Sequence, residues 1–214
     1  MNWTERLKEE FLSGWKPFEV AWVVIFLAAQ IIAYVLAPDS PLGMISGIAG
    51  ILCVVLVSKG KISNYFFGLI FAYTYFYVAW GNNFLGEMNT VLYVYIPSQF
   101  IGYFMWKQHM QNDNGGESVI AKALTPKGWA ILLASVGVGT FCFVQGLTTI
   151  ITVAAQLLMI LRYREQWLLW IVLNVLSILL WAEQPAMYLM YGAYLLNSLY
   201  GYYNWTKLVK AESH

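Results

Sequence analysis

Residues 195–205 read LLNSLYGYYNW, and the end of this stretch has a partner about 100 residues earlier in the chain. Residues 198–205, SLYGYYNW, share the pattern G-Y-aromatic-x-W with residues 99–106, QFIGYFMW, and a lysine follows each copy. The shared pattern, at the ends of two apolar segments, indicates a duplicated unit. The stretch also places amides and phenols in a segment apolar enough to enter a membrane, where polar groups need partners.

The composition is typical of an integral membrane protein. The 214 residues are 60% hydrophobic and 17% aromatic but only 11% charged, whereas a soluble domain carries about 25% charged residues. The net charge of +1 indicates no nucleic-acid partner. Cys53 and Cys142 stand alone in apolar runs and the chain has two histidines, so we predict no disulfide framework, metal site or cofactor.

Hydropathy predicts eight membrane-spanning helices, since one span needs roughly 17–25 residues. The mixed-charge residues before the first span do not resemble a cleavable signal. The apolar run over 128–161 is too long for one helix, so we expect a turn at Gln145-Gly146. The predicted spans are 18–37, 42–58, 62–80, 88–106, 128–145, 147–162, 166–182 and 186–205.

The charged residues support this count. All 12 lysines and arginines fall on one side of the predicted arrangement. The loops on the other side carry only Asp39, Glu87 and Glu183. Because lysine and arginine are in excess in cytoplasmic loops, both termini are predicted to be cytoplasmic.

The repeat relates predicted helices two to four to helices six to eight. Equivalent helices are four apart, so they cross the membrane in the same direction and form a parallel repeat. We therefore predict an all-α integral membrane protein with a 3+1+3 core, in which helix five inverts the second half, and an extra N-terminal helix. The predicted units are residues 1–41 (N-terminal segment and extra helix), 42–106 (first bundle), 107–146 (cytoplasmic loop and linker helix), 147–206 (second bundle) and 207–214 (cytoplasmic tail).

Amides and aromatic side chains recur on one face of several predicted helices. Because polar groups in hydrocarbon need partners, aligned amides on three helices indicate a shared cavity, and parallel repeats bind substrates at their interface. Pro97 is expected to loosen helix four beside Gln99. The candidate substrate-binding residues are Tyr73, Tyr77, Trp80, Gln99, Thr152, Gln156, Trp167, Trp170, Asn174, Trp181, Asn197 and Tyr200.

Structural alternatives exist for many aromatic and amide positions. Trp106 and Trp205 lie beside lysines at helix ends, which favours an aromatic belt at the membrane surface. Gln156, Asn174 and Asn197 could form interhelical hydrogen bonds without touching a ligand.

Asn197 and Tyr200 differ from the rest of the repeat. Ser98 and Ile101 stand at the equivalent positions of the first copy. A structural role common to both repeats would have kept the same residues, so this difference favours contact with an asymmetric ligand.

The residues that are absent also restrict the function. No Asp, Glu, Lys or Arg lies well inside a predicted span, whereas proton relays and ion-coupled carriers need such residues. The sequence has no Walker-type phosphate loop and no nucleophile–base set, so an enzyme is not predicted. A passive carrier of a small, flat, polar ligand remains, with any positive ring charge resting on aromatic faces.

Three segments resemble the PnuC vitamin transporters. REQWLLWIVLN (164–174) carries the family's W-x-x-W motif at Trp167 and Trp170, and YLLNSLYGYYNW (194–205) carries its N-x-x-Y motif at Asn197 and Tyr200. TTIITVAAQLL (148–158), with Gln156, is similar to the preceding helix of the family. The resemblance covers residues 42–206 and implies a fold similar to that of the SWEET sugar transporters.

The resemblance implies facilitated diffusion of nicotinamide riboside across a bacterial inner membrane. A cytosolic nicotinamide riboside kinase would trap the substrate, and the family suggests a homo-oligomer, a trimer, in the lipid bilayer. The nicotinamide would stack on aromatic rings while amides hold the ribose hydroxyls. SWEET carriers pair a tryptophan with an asparagine about sixteen residues later, a separation that Trp181 and Asn197 share. A carrier of thiamine, riboflavin or a sugar, and a membrane-embedded enzyme or receptor, are the alternatives.

Overall fold

The structure is a computed structural model that describes residues 14–36, 38, 40–113, 116–142, 147–180 and 185–212. In this part of the chain eight helices follow one another in the predicted order. They are α1 (Pro17–Leu36), α2 (Pro41–Ser58), α3 (Asn64–Gly81), α4 (85–107), α5 (Pro126–Cys142), α6 (Leu147–Ile160), α7 (Gln166–Leu180) and α8 (Pro185–Glu212). The run over 128–161 is thus two helices, although the turn expected at Gln145-Gly146 lies outside the described residues.

Proline opens four helices, because its missing N–H and its fixed φ suit the first helical turn. Ser40 caps α2, where its Oγ accepts a hydrogen bond of 3.0 Å from the Gly43 N–H. Thr125 does the same for α5, where its Oγ1 accepts from the Gly128 N–H at 3.2 Å. The four prolines are Pro17, Pro41, Pro126 and Pro185.

Helix α4 is irregular in its middle. It consists of α-helical Leu85–Thr90, π-helical Val91–Tyr95 and α-helical Ile96–Lys107. Pro97 cannot donate to the helix ladder, and its ring crowds the preceding turn. The hydrogen bonds just before it widen, so the Ile96 N–H bonds to the Val91 oxygen five residues earlier. The loosening expected at Pro97 is therefore a π-helical stretch.

Several helix ends shift by one to three residues from the predicted ones, and two differences change the interpretation. Helix α4 begins at Leu85 rather than at residue 88, which brings Glu87 into the helix, and α8 continues to Glu212 rather than to residue 205. The loop predicted over 107–126 contains an antiparallel hairpin that hydropathy did not predict. Its strands are β1 (Met110–Asp113) and β2 (Gly116–Val119).

The helices pack as two three-helix groups that meet along two contacts. Within the groups α3 packs on α2 and α4, and α7 packs on α6 and α8. Between them, α8 packs on α2 and α4 packs on α6. The last helix of each group thus packs on the first helix of the other, as a repeat predicts. Helix α1 packs on α2 and α8, and α5 packs on α6.

One end of the molecule gathers the start of α1 and the ends of α2, α4, α6 and α8. The Lys59 ammonium, after α2, lies 2.8 Å from Glu19 in the first turn of α1. The loop after the hairpin joins the end of α6, since the Lys122 N–H bonds to the Arg162 oxygen and the Arg164 N–H bonds to the Lys122 oxygen, both at 2.7 Å. The basic residues that follow these helices therefore share this end, which we call the basic end.

The outer surface of the helices is strongly apolar. Among the described helices α1 and α2 are both long enough to span a bilayer, each with a mean hydropathy of 2.2. Isoleucine, leucine and valine side chains of α1 point outward, with Leu36 79% exposed. An apolar surface of this extent fits a lipid environment.

Candidate functional site

A cavity of about 200 Å³ lies between the two three-helix groups. Helices α2, α3 and α4 form one side of it, and α6, α7 and α8 form the other. It lies where the repeat predicts a substrate site.

Aromatic rings form much of the wall. Trp167 and Trp170 lie one turn apart on α7, and both line the cavity. Trp167 is only 2% exposed and sits against Gly201 of α8, where a β-carbon would lie 2.6 Å from the indole ring. Trp170 is only partly buried. Trp167 is thus fixed by packing, whereas Trp170 is the less enclosed of the two indoles on the wall. The other aromatic residues on the wall are Phe71, Tyr75, Tyr95, Tyr191 and Tyr194.

Three side-chain amides also reach the wall, namely those of Gln99, Gln156 and Asn174. The Asn174 Nδ2 donates to Ser198 Oγ at 3.1 Å, and the Gln99 Nε2 donates to the Tyr95 oxygen at 3.3 Å. All three amides are at least nine-tenths buried, with exposures of 7%, 4% and 5% in the order named. They come from both groups of helices, so a bound ligand would bridge the two.

Several polar atoms on the wall have no hydrogen-bond partner within the described part of the protein. They are Gln99 Oε1, Trp167 Nε1 and the Tyr194 hydroxyl. Buried polar groups in folded proteins are normally paired with protein, water or ligand. These atoms therefore offer an acceptor, a donor and a hydroxyl to a polar molecule in the cavity.

The electrostatic character of the wall is set by one residue. Glu87 of α4 is the charged side chain on the described wall, and no lysine or arginine of the described residues lines it. The Tyr75 hydroxyl donates to the Glu87 carboxylate at 3.1 Å. Such a cavity disfavours anions and tolerates a cation.

Half of the predicted site residues meet at this cavity. They are Gln99, Thr152, Gln156, Trp167, Trp170 and Asn174. Tyr73, Tyr77 and Trp80 instead lie on the outer face of α3, where they are 50%, 56% and 58% exposed. The face of α3 that meets the cavity carries Phe71 and Tyr75. A ligand role for the three outer residues stays a prediction that our proposal does not use.

The N-x-x-Y motif lies behind the cavity wall. Asn197 is 1% exposed and its Nδ2 donates to the Val54 oxygen of α2 at 2.9 Å. The Tyr200 hydroxyl donates to Glu19 of α1. In this conformation both side chains tie α8 to other helices rather than facing the cavity. Trp181 lies outside the described residues.

Three side chains of α8 bond to carbonyl oxygens near the C-terminus of α2. Two of these carbonyls, those of Val57 and Ser58, lie in the last turn, where the helix itself supplies no N–H partner. The pairs are Asn197 with the Val54 oxygen at 2.9 Å, Trp205 with the Val57 oxygen at 2.9 Å and Asn204 with the Ser58 oxygen at 2.7 Å.

The tryptophans that end the two repeats are not belt residues, which corrects the expectation from their position beside lysines. Trp106 and Trp205 are both 0% exposed. The Trp106 indole N–H donates to the Met159 oxygen of α6 at 3.0 Å, and that of Trp205 donates to Val57 of α2. Each repeat thus ends on an indole that bonds to the first helix of the other group. Their ring centroids lie 5.7 Å apart at the basic end.

We expect Trp205→Phe to destabilise the protein. The change removes the indole hydrogen bond to the Val57 carbonyl, a loss of about 0.5–1.5 kcal/mol, and opens space in a buried cluster. The measurement is the thermal unfolding midpoint in detergent. Trp129→Phe is the control, because the Trp129 indole is partly buried and has no hydrogen bond within the described residues. Equal thermal unfolding midpoints for the two variants would instead support a place for Trp205 in the aromatic belt at the membrane surface.

Several wall residues were not predicted from the sequence. They are mainly tyrosines and small hydroxyl residues, namely Tyr75, Tyr95, Thr148, Thr149, Ser177, Tyr191, Tyr194 and Ser198, together with Glu87. Glu87 could have been found by asking whether a helix starts before it, since a carboxylate within a membrane helix is a functional candidate.

Comparison with known proteins gives consistent matches over nearly the whole chain. The sequence profile of the family described as nicotinamide mononucleotide transporter matches residues 40–207. A nicotinamide riboside transporter PnuC of Haemophilus influenzae is 76% identical, over 98% of this chain and 99% of the relative. A protein of the same name from Neisseria mucosa is 45% identical, over 96% of this chain and 87% of its own length.

A solved structure gives the same result at the level of fold. The crystal structure of the Vitamin B3 transporter PnuC superposes with a TM-score of 0.89 and 45% sequence identity. The match covers 96% of this chain and 97% of the other. The prediction of an all-α membrane fold is therefore confirmed.

Proposed function

The chain belongs to the PnuC family of nicotinamide riboside transporters, and on that premise we propose that it carries nicotinamide riboside across a bacterial membrane by facilitated diffusion. The observation that supports this substrate is the chemistry of the cavity. Its wall combines aromatic rings, amides and one carboxylate, with no basic side chain among the described residues.

For each chemical group of nicotinamide riboside, the cavity wall offers side chains that can bind it. The nicotinamide ring of the riboside is flat and carries a positive charge, so it can stack on an aromatic face. Trp170 offers the more accessible indole, with Trp167 beneath it. The carboxamide and the ribose hydroxyls need donors and acceptors, which Gln99, Gln156 and Asn174 provide.

The family description names the mononucleotide, whereas the curated relatives are named for the riboside. The two compounds differ by a phosphate group, which needs basic side chains or backbone N–H groups to replace its water. The described wall supplies a carboxylate and no lysine or arginine. The electrostatics therefore favour the riboside.

Transport would proceed by alternating access, with the two groups of helices rocking about the cavity. Contacts between the groups at the basic end, including the buried Trp106 and Trp205, would have to open on that side. We propose that the basic end faces the cytoplasm of a bacterial inner membrane, since the described lysines and arginines lie in loops or near helix ends on that side. A cytosolic nicotinamide riboside kinase would then trap the product, and the working unit would be a homo-oligomer, a trimer.

Uptake into liposomes tests the uncoupled mechanism. In protein-containing liposomes held at zero membrane potential, labelled nicotinamide riboside should enter until the inside and outside concentrations are equal, and an imposed proton or sodium gradient should change nothing. This is expected because the described wall holds one ionisable carboxylate and no second group to relay an ion. Accumulation above the outside concentration in the presence of such a gradient would contradict the proposal.

A sister carrier for another flat vitamin is the second candidate. Thiamine also has a positively charged aromatic ring, which this wall would tolerate, whereas riboflavin is larger and uncharged. Displacement of bound nicotinamide riboside by each vitamin would rank them, and we expect the riboside to bind most tightly.

A further inference from the structure

The carboxylate of Glu87 stands at one edge of the cavity among phenol rings. Glu87 lies in the first α-helical segment of α4, and its side chain is exposed while it also lines the cavity. The Tyr75 hydroxyl of α3 donates to it at 3.1 Å. Tyr95 and Tyr191 line the same cavity. Helices α3, α4 and α8 therefore bring three phenols to the cavity that holds this carboxylate.

The irregular part of α4 helps to form this cluster. Glu87 and Tyr95 are eight residues apart, a spacing at which side chains of an ideal α-helix differ by roughly 80° in direction. The π-helical stretch Val91–Tyr95 lies between them and turns less per residue. The two side chains consequently approach the same face of α4, and both line the cavity.

The aromatic rings on this part of the cavity wall contact one another. Tyr75 stacks on Phe71 with 5.2 Å between ring centroids and 13° between planes. Phe71 also contacts Tyr95 at 6.2 Å, and Tyr191 contacts Tyr194 edge-on at 6.1 Å. Ordered aromatic faces beside a carboxylate are the arrangement by which proteins recognise quaternary nitrogen cations.

The charge of Glu87 is not neutralised within the site. Glu87 forms no ion pair with any residue that the structure describes, and no described lysine or arginine lines the cavity. A hydrogen bond from a neutral phenol leaves the net negative charge in place. The site therefore carries an uncompensated negative charge, which a cationic ligand can neutralise.

We propose that Glu87, with Tyr75, Tyr95 and Tyr191, forms a cation-recognition subsite that selects ligands with a positively charged pyridinium ring over uncharged ligands of the same shape. This inference rests on the proposed function. It adds that the carrier distinguishes ligands by the charge of the pyridinium ring as well as by their shape and hydrogen-bonding groups.

The test compares two forms of one ligand on the wild-type protein and two variants. Nicotinamide riboside and its reduced dihydro form differ in ring charge but hardly in size. Titration calorimetry on the purified full-length protein should show that wild type binds the charged form about tenfold more tightly. In E87Q most of this preference should be lost, through weaker binding of the charged form and unchanged binding of the reduced form. E87D, which keeps the charge, should retain most of the preference.

The outcomes separate this inference from the proposed function. Because Glu87 is exposed, E87Q should fold, and an unchanged thermal midpoint checks this. If E87Q keeps the wild-type ratio, or loses the same factor for both forms, the charge-reading role is refuted while the carrier function stands. If wild type binds neither form, both proposals fail.

Discussion

Trp170→Ala is expected to weaken nicotinamide riboside binding by about ten- to a hundredfold. Stacking of one heteroaromatic ring on an aromatic side chain contributes about 1–3 kcal/mol, and each 1.4 kcal/mol is tenfold in affinity. Trp170 is the indole on the wall that packing leaves partly exposed, whereas Trp167 is enclosed against Gly201 and Trp205. The loss should therefore appear in affinity while the protein still folds and inserts.

Titration of the purified variant measures this loss. Trp129→Ala is the matched control, because Trp129 is also a partly buried tryptophan but does not line the cavity. It should bind the riboside like wild type. If Trp170→Ala bound the riboside as tightly as the wild-type protein does, Trp170 would have a structural role and would not stack on the ligand.

Nicotinamide mononucleotide is expected to bind at least about a hundredfold more weakly than the riboside. Its phosphate would enter a cavity whose described charged residue is the Glu87 carboxylate. Like charges placed together at a binding site cost several kcal/mol, and the phosphate would also lose water without a basic partner. Competition for bound, labelled riboside measures the difference. Equal competition by the two compounds would show that the cavity accepts the phosphate.

The helices could be predicted because the hydrocarbon core of a bilayer determines the length and composition of a helix that spans it. Apolar segments of the right length and lysines on one side of the membrane each have a direct physical cause. Pro97 likewise indicated the irregular part of α4, since proline cannot donate to a helix ladder. The hairpin formed by β1 and β2 has no such signal, because it is polar and short.

The orientation of side chains was harder to predict for the same reason. In a soluble helix the polar face points to water, but in a membrane helix both lipid and protein accept apolar rings. The sequence alone therefore does not show whether the face of α3 with Tyr73 and Tyr77 or the face with Phe71 and Tyr75 meets the cavity. Helix α7 was clearer, because Asn174 needs a partner and identifies the inward face that it shares with Trp170.

The final stretch of the chain shows what tertiary contacts add. The sequence makes Asn197 a candidate ligand contact and Trp205 a belt candidate, but nothing in it shows that the end of α2 lies beside them. In the fold Asn197, Asn204 and Trp205 bond to the carbonyl oxygens of Val54, Ser58 and Val57, respectively. The tryptophan that ends this copy of the repeat is therefore explained by packing between the two groups of helices.

Direct titration of the purified wild-type protein with nicotinamide riboside is the most decisive test of the central claim. We predict saturable binding of one riboside per chain, lost in large part in Trp170→Ala. Absence of saturable binding, in protein that is folded by its thermal midpoint, would contradict the assignment of the cavity to this substrate.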